Sequence, residues 1–188
     1  GKNQFIAVTD KEFPVTVAQI LIKHKEQPLL TKNDLRNSVI RSLYNQMMGA
    51  RFSELSKQAN PPFLQAGNNI SGFLAGLDAT TTFIAAKPGE FEKGLKTTFA
   101  EVERVKRFGF TATELERAKA SFLTSQESAF KEKDKTASDN FVQEYVQLFL
   151  KGTVSPGIEY EYNFYKSTLP SITVADVNAL AKQYITET

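Results

Sequence analysis

Cysteine is absent from the 188 residues. That removes disulfides, thiolate nucleophiles and thiolate metal sites together, and it suits a cytosolic and a periplasmic compartment equally. Histidine is nearly absent: only His24 occurs, between Lys23 and Lys25. Catalytic zinc sites usually take three protein ligands, commonly with two or more imidazoles. Neither H-x-x-E-H nor its reverse can be written in this chain. A Ser-His-Asp triad would have to use His24, and no serine sits in a G-x-S-x-G elbow. His24 is therefore expected to be a solvated imidazole at a strand end. Charge of one sign is not in excess: Lys+Arg number 23 and Asp+Glu 21, for a net +2. Nothing electrostatic points to nucleic acid or an anionic membrane as partner. No apolar run reaches the ~18–20 residues of a membrane span. The glycines fall in no phosphate-cradling pattern. There is no initiating Met, signal peptide, short-period repeat or low-complexity linker. The opening Gly1-Lys2-Asn3-Gln4 reads as the start of a piece excised from a longer protein, with Gly1 as a tag remnant.

What is present is ordinary globular material: 41 % hydrophobic and 23 % charged residues, over a length that suits one domain covering 1–188. A short apolar run, Phe5-Ile6-Ala7-Val8, precedes Thr9-Asp10. Residues 14–24 are β-branched and apolar on both faces, which predicts a largely buried strand. Thr31 and Asp34 form a capping-box pair. Behind it Leu35, Val39, Ile40, Leu43, Tyr44, Met47 and Met48 make one apolar stripe, extending to Phe52 and Leu55 until Asn60-Pro61-Pro62. Strand segments follow at 63–66, 70–77 and 79–86, with a turn at Gly67-Asn68-Asn69. Their connections are too short for parallel crossovers.

The remainder is helical. Phe91, Leu95, Phe99 and Val102 mark one helix closed by Phe108-Gly109. Thr111–Glu114 or Thr113–Glu116 caps the next, with an apolar stripe through Leu115, Ala118, Phe122 and Ala129, then Phe141, Tyr145, Leu148 and Phe149. The charged run Lys131 to Lys135 interrupts it as a kink or a solvated face. Gly152 ends it. An aromatic helix at 160–165 and a short helix capped by Thr173 and Asp176, with Val177, Leu180 and Tyr184 inside, complete the chain. Strands first and helices after imply an α+β domain of two layers, a mainly antiparallel sheet with helices on one face.

Few residues suggest chemistry. The carboxylate pairs Glu101/Glu103, Glu114/Glu116 and Glu159/Glu161 are two apart, so on a helix they diverge and form no acid–base couple. The aromatic cluster at 160–165 lacks the basic groove of a nucleic-acid site. Thr80, Thr81 and Thr82 could lie on a sheet edge and pair with an extended peptide, although threonine also simply favours strands.

The segment Leu35 to Gly67, LRNSVIRSLYNQMMGARFSELSKQANPPFLQAG, resembles the helix-to-strand segment of the insulinase/pitrilysin-like peptidases, the inverzincins. Gly109 to Lys119, reading G-F-T-A-T-E-L-E-R-A-K, is similar to their G-hydrophobic-T-x-x-E-L-x-x-A-K stretch. The resemblance covers most of the chain. It implies an insulinase-like α+β domain, one of several arranged in pairs whose halves close around a chamber for peptides. One such domain carries H-x-x-E-H with a further Glu downstream; relatives in the same assembly have lost it. In the corresponding helix here, Leu35–Met48, stand Asn37, Ser38, Asn45 and Gln46, with no His and no Glu. In the register of the motif, Ser56 and Phe63 occupy the places of an Arg–Tyr pair that reaches substrate in other non-catalytic domains. Neither retains the guanidinium or the phenol, and Arg51 lies more than one turn earlier.

The resemblance therefore implies a non-catalytic domain, the architectural one next after the zinc-bearing domain. It would not be an enzyme alone and would hold no cofactor, the zinc residing in its partner peptidase domain. It would meet peptide substrate only indirectly and no nucleic acid. Its home would be periplasmic or cytoplasmic, with a bacterial-type periplasm favoured. A stand-alone scaffold or interaction module of the same fold is the alternative, and an unrelated carboxylate hydrolase a third reading. Elemental analysis of the dialysed protein should find no stoichiometric zinc; one tightly held zinc per chain would overturn the non-catalytic assignment.

Overall fold

The β-branched and apolar residues between Thr16 and Lys25 form a strand, and two further strands complete a sheet beside it. In the computed structural model, residues 3–186 are described apart from 75, 136 and 137, and the side chains of 135, 138–141, 143 and 144 are not. Gly1, Lys2 and the Phe141 side chain thus lie outside the described residues. The elements are β1 (Thr16–Lys25), α1 (Lys32–Ser56), β2 (Gln65–Gly72), β3 (Leu77–Ala86), α2 (Phe91–Phe108), α3 (Ala112–Lys131), α4 (Ser138–Lys151), α5 (Ile158–Thr168) and α6 (Val174–Tyr184), with 3₁₀ turns at Lys133–Lys135 and Leu169–Ser171. This is the α+β class read from the sequence. The chain packs as two compact units, one made of Gly1–Glu26, Tyr44–Phe110 and Asn178–Thr188, the other of Gln27–Leu43 and Thr111–Val177.

In the first unit the sheet is antiparallel throughout, in the order β1-β3-β2. One face carries the buried Asn68, Ile70, Asp78, Thr80, Thr82, Ile84 and Ala86. The helices cover that face. Tyr44 of α1 reaches Asn68, α6 receives a hydrogen bond from Thr80 at the Tyr184 carbonyl (3.0 Å), and α2 lies against Ile84 at Gly94. A Cβ on Gly94 would stand 2.8 Å from the Pro62 carbonyl oxygen and 2.9 Å from Ile84 Cδ1. Only glycine permits this approach of helix to strand.

Three expectations are corrected here. β1 is a strand but none of its residues is buried: Val17 and Leu21 are 41 % and 36 % exposed, because they point to the uncovered face of an edge strand. Gly67-Asn68-Asn69 is not a turn but the middle of β2. Asn68 sits in the covered layer, accepting from the Tyr44 hydroxyl at 2.5 Å and donating to Thr82 Oγ1 at 2.9 Å, and tertiary partners override its turn preference. The reversal comes instead after Gly72, with Phe73 N–H bonded to the Leu77 carbonyl and Gly76 at φ +76°. Finally, α2 buries Gly94, Thr98, Glu101, Val102 and Val105, while Phe99 stays 41 % exposed. The close approach at Gly94 turns the helix away from the stripe through Phe99.

In the second unit the caps follow the sequence. Thr31 and Asp34 bond each other's backbone N–H at 2.9 and 3.1 Å, as do Thr111 with Glu114 and Thr173 with Asp176. The Thr31 hydroxyl and the backbone donors hold the Asp34 carboxyl below its ordinary range. Arg36 bridges to Asp176 at 3.1 Å. Phe122 meets Tyr165 edge-on at 5.3 Å, and Phe130 stacks on Tyr162 at 4.8 Å. The expected long stripe fails beyond Phe122. Ala129 is exposed, and on α4 Tyr145, Leu148 and Phe149 are 62 %, 42 % and 87 % exposed. The charged run is the end of α3 and the 3₁₀ turn after it.

Gly94→Ala should destabilise the protein by about 1–3 kcal/mol, since the obstructing atom is backbone and cannot move aside. Gly49→Ala, with nothing within 4 Å, should instead stabilise by up to about 1 kcal/mol. Denaturant midpoints of the two variants check the contrast.

Candidate interaction surface

Helix α1 holds most of the segment that resembles the peptidases, and its polar side chains are engaged as follows. Asn45 forms a two-point contact with a single residue of β2: its Nδ2 donates to the Ile70 carbonyl at 2.9 Å and its Oδ1 accepts from the Ile70 N–H at 2.8 Å. Ile70 presents these groups away from β3, so Asn45 occupies the outer edge of β2 as a neighbouring strand would. Ser38 donates to the Leu35 carbonyl at 2.8 Å and Ser42 to the Ser38 carbonyl at 3.0 Å, while Asn37 is exposed. Gln46 Oε1 is buried without a hydrogen-bond partner. Among the described residues no three of His, Cys, Asp and Glu are grouped to hold a metal.

Arg51 is absorbed by the fold. It pairs with Glu101 at 2.8 Å, with 14 % and 10 % of the two side chains exposed, donates to the Gly109 carbonyl at 3.2 Å, and lies 5.0 Å over the Phe110 ring. Removing one partner of so enclosed a pair costs several times what an exposed ion pair is worth. Beside it Gly109 takes φ +72°, and the Asn178 amide contacts both the N–H (2.7 Å) and the carbonyl (3.4 Å) of Phe110. Ser56 is the exposed last residue of α1, its hydroxyl turned back to the Ser53 carbonyl at 2.8 Å. Phe63 is 3 % exposed and its ring centroid lies 6.1 Å from that of Phe52.

The threonines are not at an edge. Thr80, Thr81 and Thr82 lie on β3, the central strand, whose backbone is paired with β1 on one side and β2 on the other, so they cannot accept a peptide strand. Thr80 and Thr82 are buried at 1 % and 7 %. The open edge is that of β1. His24, expected to be solvated, is half-buried on the covered face. Its Nε2 lies 3.2 Å from Thr80 Oγ1 and its ring 4.6 Å from that of Tyr184. Since the Thr80 proton goes to the Tyr184 carbonyl, Nε2 of His24 is the donor in that contact. The sequence offered one signal for these contacts: asparagines at helix-interior positions 45 and 178, where the residue type is unfavourable unless its side chain has a specific partner.

Sequence comparison places a relative along nearly the whole chain. The "Zinc protease PQQL-like" of Arabidopsis thaliana is 25 % identical over 182 residues, which is 97 % of this chain and 16 % of that protein. The chloroplastic stromal processing peptidase of the same plant is 31 % identical over 99 residues, 52 % of this chain and 8 % of its own length. No protein-family model matches. Among solved structures, the first half of the periplasmic protease PqqL from Escherichia coli superposes with TM-score 0.85 over 94 % of this chain and 38 % of that one, at 17 % identity. The fold is that of an insulinase-type zinc peptidase domain. It extends to inactive members: a peptidase M16 inactive domain from Pseudomonas fluorescens matches with TM-score 0.63 and 14 % identity over 93 % of this chain and 39 % of that one. The inactive peptidase domain of a zinc protease from Bordetella parapertussis matches with 0.56 and 16 % over 94 % and 88 %. The present chain thus spans a small part of its curated relatives.

Asn45→Ala should lower stability by about 1–3 kcal/mol, by leaving the Ile70 N–H and carbonyl without their partner. Asn37→Ala, exposed on the same helix, should stay within about 0.5 kcal/mol. Equilibrium unfolding of both variants reads the difference.

Proposed function

We propose that residues 1–188 form one non-catalytic domain of a larger zinc peptidase, packed against the zinc-bearing domain and walling the chamber in which peptides are cut. The observation that carries this reading is the state of α1. Over Leu35–Met48, the stretch of the helix where the motif would stand, there is no His and no Glu, and its Asn45 amide is engaged with the backbone of Ile70. The fold shared with domains described as inactive supports it. In this reading the chain alone is not an enzyme, zinc belongs to the partner domain, and substrate peptide is met only at the chamber wall. Ser56 and Phe63 stand where a substrate-reaching pair has been lost, and the inward, buried Phe63 accords with that. The periplasmic setting of PqqL favours a bacterial-type periplasm. Among the described residues no helix is long and apolar enough to cross a membrane.

A stand-alone interaction module of the same fold is the second reading, favoured by the apolar side chains that α4 exposes. One experiment separates the two: peptide hydrolysis by the zinc-bearing domain of the parent protein, measured with and without this chain in trans. The leading reading expects binding and a clear rise in rate. No change in rate, with no binding in the same mixtures, would transfer the assignment to the interaction module.

A further inference from the structure

The two outer edges of the sheet are unequal. β2 is closed at Ile70 by the Asn45 amide, whereas among the described residues β1 has no neighbouring strand on its outer side. The register tells which β1 groups face outward. Glu26 N–H bonds to the Gly76 carbonyl at 3.0 Å, continuing a ladder in which His24 pairs with Asp78 and Ile22 with Thr80. Alternation in an antiparallel pair then directs the even-numbered residues of β1 to β3 and the odd-numbered Val17, Gln19, Leu21, Lys23 and Lys25 outward. Among the described residues no backbone bond reaches the outer side of these five. Unpaired edges of this kind recruit strands.

Directly before β1 lies a segment suited to the place. Phe5, Ile6 and Val8 are 91 %, 84 % and 87 % exposed, far above what apolar side chains ordinarily retain in a folded chain. After them the chain already reverses: Phe13 N–H bonds to the Asp10 carbonyl at 3.4 Å, and Glu12 N–H to Asp10 Oδ1 at 2.9 Å, an aspartate-stabilised turn.

The turn and the ladder agree on parity. Continuing the Asp10–Phe13 contact as an antiparallel pair sets Val8 opposite Val15, Ile6 opposite Val17 and Gln4 opposite Gln19, each as a hydrogen-bonded pair. These β1 partners are odd-numbered, the ones whose N–H and carbonyl point outward. A slip of one residue would have presented the wrong set. Pro14 does not obstruct the pairing, because its missing N–H falls on the β3 side, beyond the last pair at Thr16–Ala86. The side chains also fit. Ile6 would lie beside Val17 on the uncovered face, and Phe5 beside Ala18 on the covered one.

We propose that residues 4–8 fold back as a fourth strand on the outer edge of β1, so that the edge is occupied by this chain itself rather than by a peptide. The short connection favours the intramolecular partner: a segment tethered by a few residues faces the edge at an effective concentration of about millimolar. The chamber-wall reading does not depend on this closure, and either can fail alone.

The absence of native cysteine makes the test clean. Ala7 and Thr16 would form a non-hydrogen-bonded pair, the type whose Cα atoms lie about 4.5 Å apart and accept a disulfide. The full chain carrying Ala7→Cys and Thr16→Cys should oxidise to a monomer with an internal disulfide, while the slipped pair Ala7→Cys with Val17→Cys should not. In the unmodified chain, amide exchange at Ile6, Val8 and Val17 should be slowed at least about tenfold relative to an unstructured peptide, and Ile6→Pro should release Val17. Disulfide-linked dimers in place of the monomer would assign the edge to a second copy. Equal oxidation of the two pairs, or unprotected amides at Ile6 and Val17, would mean that the edge stays open. Any of these results overturns the proposal.

Discussion

Tyr44, Asn68 and Thr82 form a chain of polar side chains from α1 through β2 to β3, inside a layer where Tyr44 is fully enclosed and its neighbours are 5 % and 7 % exposed. In such a layer an incomplete hydrogen-bond chain is worse than none, because each orphaned group costs its full desolvation. The chain is complete only in one register of β2 against β3 and one placement of α1 over β2. Burial pushes the Tyr44 phenol well above its ordinary range, which keeps its proton available as the donor. The neighbouring Asn45–Ile70 contact and the Gly94 approach fall into place around this one.

The same economy explains why the first unit offers so little for chemistry. Asn45, Arg51 and Asn178 each bind main-chain groups of their own unit, and Arg51 is also held by Glu101. A fold shared with peptidases does not by itself confer their activity; function lies in the site, not the architecture. What remains outward is surface: the uncovered sheet face at Val17 and Leu21, and the apolar side chains of α4.

The caps, the α1 stripe and the strand–helix order were legible because they depend on residues three or four apart, or on short stretches of one character. Leu35, Val39, Leu43, Tyr44, Met47 and Met48 are all no more than 5 % exposed, as their spacing implies. The misreadings share one cause. β1 looks buried by composition, yet composition cannot say whether both sheet faces are covered. Gly67-Asn68-Asn69 looks like a turn, yet Asn68 found partners 24 residues upstream and 14 downstream. Thr80 to Thr82 could have been edge or centre, since threonine's strand preference is the same in both.

The sequence by itself determined the α+β class, the helix starts at Thr31 and Thr173 and the choice of Thr111 or Thr113 for another, the apolar face of α1, and the lack of a histidine–glutamate motif on that helix. These are local properties, fixed by spacing and residue type. Only the tertiary structure decided that β3 is central and β1 the open edge, that α2 turns on Gly94 rather than Phe99, and that Arg51 is enclosed with Glu101. Each of these turns on what a group meets across dozens of residues, and the free energy of burial depends on that partner rather than on the group's neighbours in the chain.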